Sequence, residues 1–273
     1  MIQSADDSSY LVEVADGVLR LSFNRPEFGN AMPSTATTPL TALFRAAQAD
    51  RTIRCILVRG EGRIFSAGGD VAGFQRSLSQ TKRERAEDFG RRLGVLRGLV
   101  DAVMAFDRPI VASVRGAAAG AGLLYPLVAD YVIGDETATF VFAHQKVGLS
   151  PDGGVTVLLP GVVGERMART LLLTAAKVDA DEAKALGMLH RIVAGDALEQ
   201  EAAKMARRFA RAPQKAIRLA KTLLRDAPLR SAATQLDAET AGIVACVTDD
   251  DFEEGVNAFL EKRAADFPST RTA

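Results

Sequence analysis

A chain of 273 residues with 48% hydrophobic and 25% charged side chains can bury a substantial core, which excludes a disordered or fibrous protein. Its 34 basic and 34 acidic residues cancel to a formal charge of zero, which argues against broad nucleic-acid binding but allows local basic patches that hold phosphates. No stretch reaches the ~18 apolar residues of a membrane helix. Met1 to Ser9 lacks the basic and apolar parts of a signal peptide, so a cytoplasmic location is expected.

Tyr10 to Val14 and Val18 to Phe23 alternate apolar and polar positions on either side of Asp16-Gly17, a turn pair, and predict a hairpin. Leu40 to Ala49 has a helical period, whereas Ile53 to Arg59 is an apolar, β-branched run of the kind found in buried strands. From Lys82 to Phe106, apolar residues recur at helical spacing through Phe89, Leu93, Leu96, Val100 and Val103, and predict a long amphipathic helix. Its charged half, Thr81 to Arg92, reads as a solvated face or a lid. Pro109 ends that helix before a second buried strand, Ile110 to Val114. Gly120 to Ala129 reads as helix, and Tyr131 to Ile133 and Thr139 to Phe142 as short strands. Beyond Gly164, helical spacing covers Glu165 to Leu173, Asp179 to Leu186, Ala197 to Arg211, Pro213 to Leu224, Leu229 to Cys246 and Asp250 to Arg263. Strands mixed with helices, then helices alone, predict an α/β core over residues 1–200 and a helical module over 201–273. The two cysteines, Cys55 and Cys246, stand apart in apolar patterns, so free thiols are expected, with no disulfide and no metal site.

Two glycine-rich segments hold the first chemical signals. Arg63-Ile64-Phe65-Ser66-Ala67-Gly68-Gly69-Asp70 follows the first buried strand, and its paired glycines let backbone approach a ligand closely. Read alone, a tight turn is its more common explanation. In Val114-Arg115-Gly116-Ala117-Ala118-Ala119-Gly120-Ala121-Gly122 a strand runs through small residues into a helix start, whose free N–H groups suit a phosphate or an oxyanion. Close helix–sheet packing would demand the same small residues. Neither segment has the spacing of a phosphate-binding P-loop or a dinucleotide fingerprint.

Taken together with Val147-Gly148-Leu149-Ser150-Pro151-Asp152-Gly153-Gly154, these segments resemble the crotonase (enoyl-CoA hydratase/isomerase) superfamily. Asn24-Arg25-Pro26 with Asn30-Ala31-Met32 is similar to its early loop, and Asp251-Phe252-Glu253-Glu254-Gly255-Val256 through Arg263 to its C-terminal signature. The resemblance runs from about Val14 to Phe267. It implies an α/β fold, a spiral of ββα units, with a C-terminal helical module that assembles trimers or hexamers. It also implies a coenzyme A thioester as substrate, with no prosthetic group, and an oxyanion hole made by the amides of Gly69 and Ala121. Coenzyme A contacts are implied for Arg25, Ala67, Gly68 and Asp70, and for Phe259 and Lys262 from a neighbouring subunit. Leu124, Phe142 and Leu149 are expected at the acyl pocket. A pattern of this kind, Val-Gly-Leu-Ser-Pro-Asp, looks most like the double-bond isomerases of phenylacetyl-CoA breakdown.

The sequence departs from the family's hydratases at both of their glutamates. In register, Leu124 and His144 stand where those two acids lie, and leucine transfers no proton. Asp152 matches the acid used by several isomerases and by the aromatic dehalogenases of the family, although Pro-Asp-Gly is also good turn or helix-capping chemistry. The expected catalytic residues are therefore Asp152 and His144, and the expected reaction is a double-bond shift in an enoyl-CoA. Hydration or another crotonase reaction using His144, and a silent acyl-CoA-binding homologue, are the alternatives. The aromatic-rich pocket of the dehalogenases is not legible in the sequence.

Overall fold

The structure is a computed structural model that describes residues 9–69 and 71–271. Tyr10–Ala15 (β1) and Val18–Phe23 (β2) pair antiparallel from Ala15↔Val18 to Tyr10↔Phe23. Asp16 and Gly17 both have positive φ, 53° and 76°, which is the primed turn that the pair predicts. Cys55–Gly60 (β3), Ile110–Val114 (β4), Tyr131–Asp135 (β6) and Arg191–Val193 (β9) then add in parallel to give a six-stranded sheet, β1-β2-β3-β4-β6-β9. A small second sheet joins Ala117–Ala119 (β5), Thr139–Val141 (β7) and Lys177–Val178 (β8). β4 and β6 thus each hand over within a few residues to a short strand of the small sheet, and then to a 3-10 turn.

Helices cover both faces of the large sheet because its central strands are apolar on both sides. Ile56, Val58, Ile110, Ala112 and Val132 feed the main core, and Cys55, Leu57, Val111 and Ile133 point the other way. The second set is covered by Leu198–Ala210 (α8), through Leu198, Ala202, Ala206 and Ala210. The expected boundary at residue 200 falls inside this helix, which packs on the sheet. Ser34–Ala49 (α1) and Lys82–Ala105 (α3) lie on the main-core face. α1 begins six residues before the periodic segment, in a run of serine and threonine with an internal Pro39 that hides it; buried Ala36, Leu40, Phe44 and Ala47 hold it in place. α3 starts at a capping box in which Thr81 and Glu84 satisfy each other's backbone N–H, and its charged first half faces solvent.

Several elements lie outside the sequence expectations: β5, β8, β9, Val71–Ser77 (α2) and Val155–Val163 (α5). β5 is three alanines with no pattern, β8 is two residues long, and α5 is a β-branched run with Pro160 inside, which propensity would not make helical. Leu124–Val128 (α4) is shorter than expected because Gly120–Leu123 forms a 3-10 turn. Glu165–Leu173 (α6) and Ala180–Ala185 (α7) follow the expected spans.

Gln214–Asp226 (α9), Ala232–Val247 (α10) and Asp250–Glu261 (α11) complete the chain. One side of this group is tied to the sheet by Lys221, whose Nζ donates to Asp130 Oδ2 and to the Arg108 carbonyl, both at 2.7 Å. The other side leaves Ile243, Val244, Phe252, Phe259 and Leu260 exposed, around an apolar groove of about 490 Å³. Cys55 is buried in β3 and Cys246 partly so in α10, and both are free. Among the described residues no helix is long and apolar enough to cross a membrane, and no group of side chains could hold a metal ion.

Candidate active site

The two glycine-rich segments meet backbone to backbone. Ser66 N–H donates to Ala117 O and Ala119 N–H to Ser66 O, both at 2.9 Å, so the loop after β3 lies alongside β5 as a parallel bridge. Glycine is required at two points of this seam. Gly68 has φ +86°, and a Cβ there would stand 2.4 Å from the Ala119 carbonyl oxygen and 3.1 Å from the Ala121 nitrogen. At Gly122 a Cβ would meet the Ser66 side chain at 2.8 Å. The loop is also clamped from its other side. Asn30, 1% exposed and at φ 56°, donates through Nδ2 to Glu61 O (2.9 Å) and Ile64 O (2.6 Å) and accepts from Arg25 N–H at 2.8 Å. Ser66 Oγ donates to Asn30 O at 3.0 Å and accepts from Gly68 N–H at 3.1 Å.

This clamping leaves two amides uncommitted to the scaffold. Gly69 pairs with Met32 through a bridge in which Met32 N–H donates to Gly68 O, so the N–H of Gly69 itself is not part of the ladder. Ala121 is the second residue of the 3-10 turn Gly120–Leu123, where an N–H has no carbonyl behind it to bond. The two stand close, since a Cβ on Gly120 would lie 4.0 Å from Gly69 N. Side by side at a helix start, such donors suit a negatively charged oxygen.

Asp152 approaches this pair from the third segment. Its loop touches the Gly120–Leu123 turn directly, because a Cβ on Gly153 would lie 3.6 Å from Ala121 Cα. Gly153 and Gly154 turn the chain with φ +64° and +83°, and α5 begins at Val155. No side chain caps that helix. The Asp152 carboxylate meets His144, with Oδ1 and Nε2 3.2 Å apart, while its carbonyl accepts from Val155 N–H at 3.3 Å, so the residue also opens the turn into α5. His144 is 8% exposed at the start of the 3-10 turn His144–Val147, while the Asp152 side chain is 39% exposed.

The remaining expectations divide. Leu124 (1% exposed) and Phe142 (fully buried) belong to the core, and Leu124, with Cδ1 3.9 Å from the Cβ position of Gly154, stands behind the loop of Asp152. Leu149 is at the surface. Ala67 is exposed beside Gly68, and Arg25 rests over the Phe28 ring at 4.5 Å while donating to Ala31 O at 3.0 Å. Asp70 lies outside the described residues. Phe259 (82% exposed) and Lys262, the left-handed cap of α11, are on the C-terminal helices, where Phe259 lines the apolar groove. That groove includes no residue of the glycine loops.

Three contributors went unread in the sequence. Asn30 was visible only as part of a motif, and Ser66 only as loop filler. Phe74 on α2 has its Cζ 3.5 Å from a Cβ position on Gly69, stacks on Phe89 of α3 with centroids 5.3 Å apart, and lies under Arg92. Two rings, from the consecutive helices α2 and α3, thus stand on the side of Gly69.

A two-sheet α/β core with glycine-sewn loops and a trailing helical group is a crotonase-like fold, and the comparisons agree. The profile described as Enoyl-CoA hydratase/isomerase matches residues 13–270. The chain is 35% identical over 258 residues to the 1,2-epoxyphenylacetyl-CoA isomerase of Escherichia coli (strain K12), covering 94% of this chain and 97% of that protein. It is 30% identical over 260 residues to the crotonyl-CoA hydratase of Syntrophomonas wolfei, covering 95% and 97%. A crystal structure of enoyl-CoA hydratase/isomerase from Cupriavidus metallidurans CH34 superposes with a TM-score of 0.87 at 26% identity, covering 100% of both chains. This chain belongs to the enoyl-CoA hydratase/isomerase family.

Proposed function

We propose that the chain is an enoyl-CoA isomerase in which Asp152 moves one proton while the Gly69 and Ala121 amides hold the thioester oxygen. The observation that carries the reading is one carboxylate, Asp152, on the loop that abuts Ala121; the family resemblance, which sets Leu124 and His144 where the hydratases have two glutamates, supports it. One acid is sufficient for a double-bond shift. Asp152 takes a proton from the α carbon of a β,γ-enoyl-CoA, and the electron pair of that C–H bond moves into a dienolate. The oxygen of the dienolate carries the charge toward the two amides, each such donor being worth about 3 kcal/mol when aimed at developing charge. Asp152 returns the proton at the γ carbon, and the double bond is left conjugated with the thioester. Hydration would require a second group to activate water, and Leu124 is apolar and buried. A similar protein named for isomerisation of an epoxyphenylacetyl-CoA adds support, although similar proteins named as hydratases exist beside it.

Coenzyme A would lie over Arg25, Ala67 and Gly68, where Ala67 is exposed and the Arg25 guanidinium is half-buried. Phe259 and Lys262 would serve the coenzyme of a neighbouring copy, once the exposed apolar faces of α10 and α11 pair into a trimer or hexamer. Asp152→Asn keeps the shape and removes the base. The expected result is a loss of about 10³-fold or more in kcat for β,γ-enoyl-CoA with coenzyme A affinity unchanged, and retained turnover would refute the reading.

A further inference from the structure

Building on that reading of Asp152, we propose that His144 is a positioning residue: its Nε2–H occupies Oδ1 of Asp152, so that Oδ2 alone carries the migrating proton. Three facts support this. Nε2 and Oδ1 are 3.2 Å apart. The imidazole is 8% exposed, so its polar atoms cannot all turn to solvent. Nδ1 is buried and meets no described protein partner. An imidazole with one partnered nitrogen keeps its proton where it gains most, and a donor to a carboxylate makes the stronger, charge-assisted kind of hydrogen bond. The proton therefore sits on Nε2, a tautomer that follows from the partners. The other tautomer would bury an unpartnered Nδ1–H and turn a lone pair toward a carboxylate.

This tautomer determines what His144 can and cannot do. Nε2 already holds a proton and accepts none from Asp152, and Nδ1 faces away from that contact. His144 is thus a donor to the base and not a relay to water. When the α C–H bond breaks, its proton goes to Oδ2, whose lone pairs are free, and the bonding electrons enter the dienolate. When Oδ2–H breaks, that proton forms the γ C–H bond with electrons from the dienolate. Held in one rotamer through Oδ1, the carboxyl group passes the proton between two carbons before it can exchange with solvent.

The test combines turnover, isotope transfer and the protonation state of the ring. A β,γ-enoyl-CoA deuterated at the α carbon is converted in ordinary water, and label at the γ carbon is read by mass spectrometry. Wild-type protein is expected to transfer part of the label. His144→Leu fills the volume without a donor, and should lower kcat about 10- to 100-fold and abolish transfer, with KM within about twofold of wild type. His144→Gln, whose side-chain amide nitrogen can take the place of Nε2, should restore kcat to within about tenfold and recover transfer. Equal behaviour of Leu and Gln variants, in either direction, would overturn the proposal. Independently of turnover, ¹⁵N spectra of the ring should show the Nε2–H form, and an Nδ1–H form would overturn it. If Asp152→Asn stays active, the isomerase reading fails by itself; if it is inactive while His144→Leu matches wild type, only the role of His144 fails.

Discussion

In the proposed site the donor side consists of backbone, and the acid side consists of one side chain held by another. On the donor side, Ser66 bonds to both Ala117 and Ala119, Asn30 grips two carbonyls of the same loop, and Gly68 passes where a Cβ would strike Ala119 O. Nothing there can rotate freely. On the acid side, Asp152 is partly exposed and has one side-chain partner, His144. The contrast teaches where reaction type can vary in this fold. Polarising a thioester needs only rigid amides, which any sequence of small residues preserves. In the proposed mechanism proton delivery depends instead on a single side chain, Asp152.

Substitutions can break the comparison at either side. After Asp152→Asn, the largest effect is expected for Gly68→Ala, which combines a positive φ with a Cβ only 2.4 Å from the Ala119 carbonyl oxygen. It should cut turnover of every enoyl-CoA substrate by about 10²- to 10³-fold, in steady-state kinetics, because one donor amide is displaced. Leu124→Glu restores an acid at a position that is 1% exposed and packed in the core. It should destabilise the protein by about 3 kcal/mol or more in urea melts, through lost burial and an unpaired carboxyl, and should give no hydratase activity. A hydratase created by this change would show that the acid side is more plastic than proposed. Asn30→Ala leaves two loop carbonyls unpaired and should cost about 2–3 kcal/mol, with lower kcat on all substrates.

A smaller, pH-dependent effect is expected far from the site. Glu254 accepts two hydrogen bonds from Arg263, at 2.6 and 2.9 Å, and one from Asp266 N–H at 2.7 Å, which hold its carboxyl down at about 2. An acid lowered in the folded state stabilises above its ordinary range, near 4.5, and loses that contribution as pH falls toward 2. Residues 264–271 should therefore lose hydrogen-exchange protection across that interval. Glu254→Gln should remove the pH dependence, and an unchanged profile would disconnect the tail from this ion pair.

What was legible in the sequence follows the same division. The glycine loops could be read because close backbone approach and positive φ require glycine in a recognisable string, and Asp152 because its segment has a family register. The central strands were legible because both of their faces are apolar. The His144–Asp152 contact was not, since eight residues separate them and the 3-10 turn ending at Gly148 sets their distance. Phe74 was hidden in α2, a short helix without a clear period, and gains meaning only where it meets Gly69 and Phe89. Leu124 could be read as a missing acid, but its place in the core beside Gly154 required the fold.

The most direct test of the account is a parallel assay of the purified protein with β,γ- and α,β-enoyl-CoA, following conjugation and water addition separately. The account predicts conjugation of the β,γ-substrate with no enzymatic hydration of the α,β-substrate. Hydration at an ordinary enzymatic rate would contradict it, because it would require a second proton-transfer group beside Asp152.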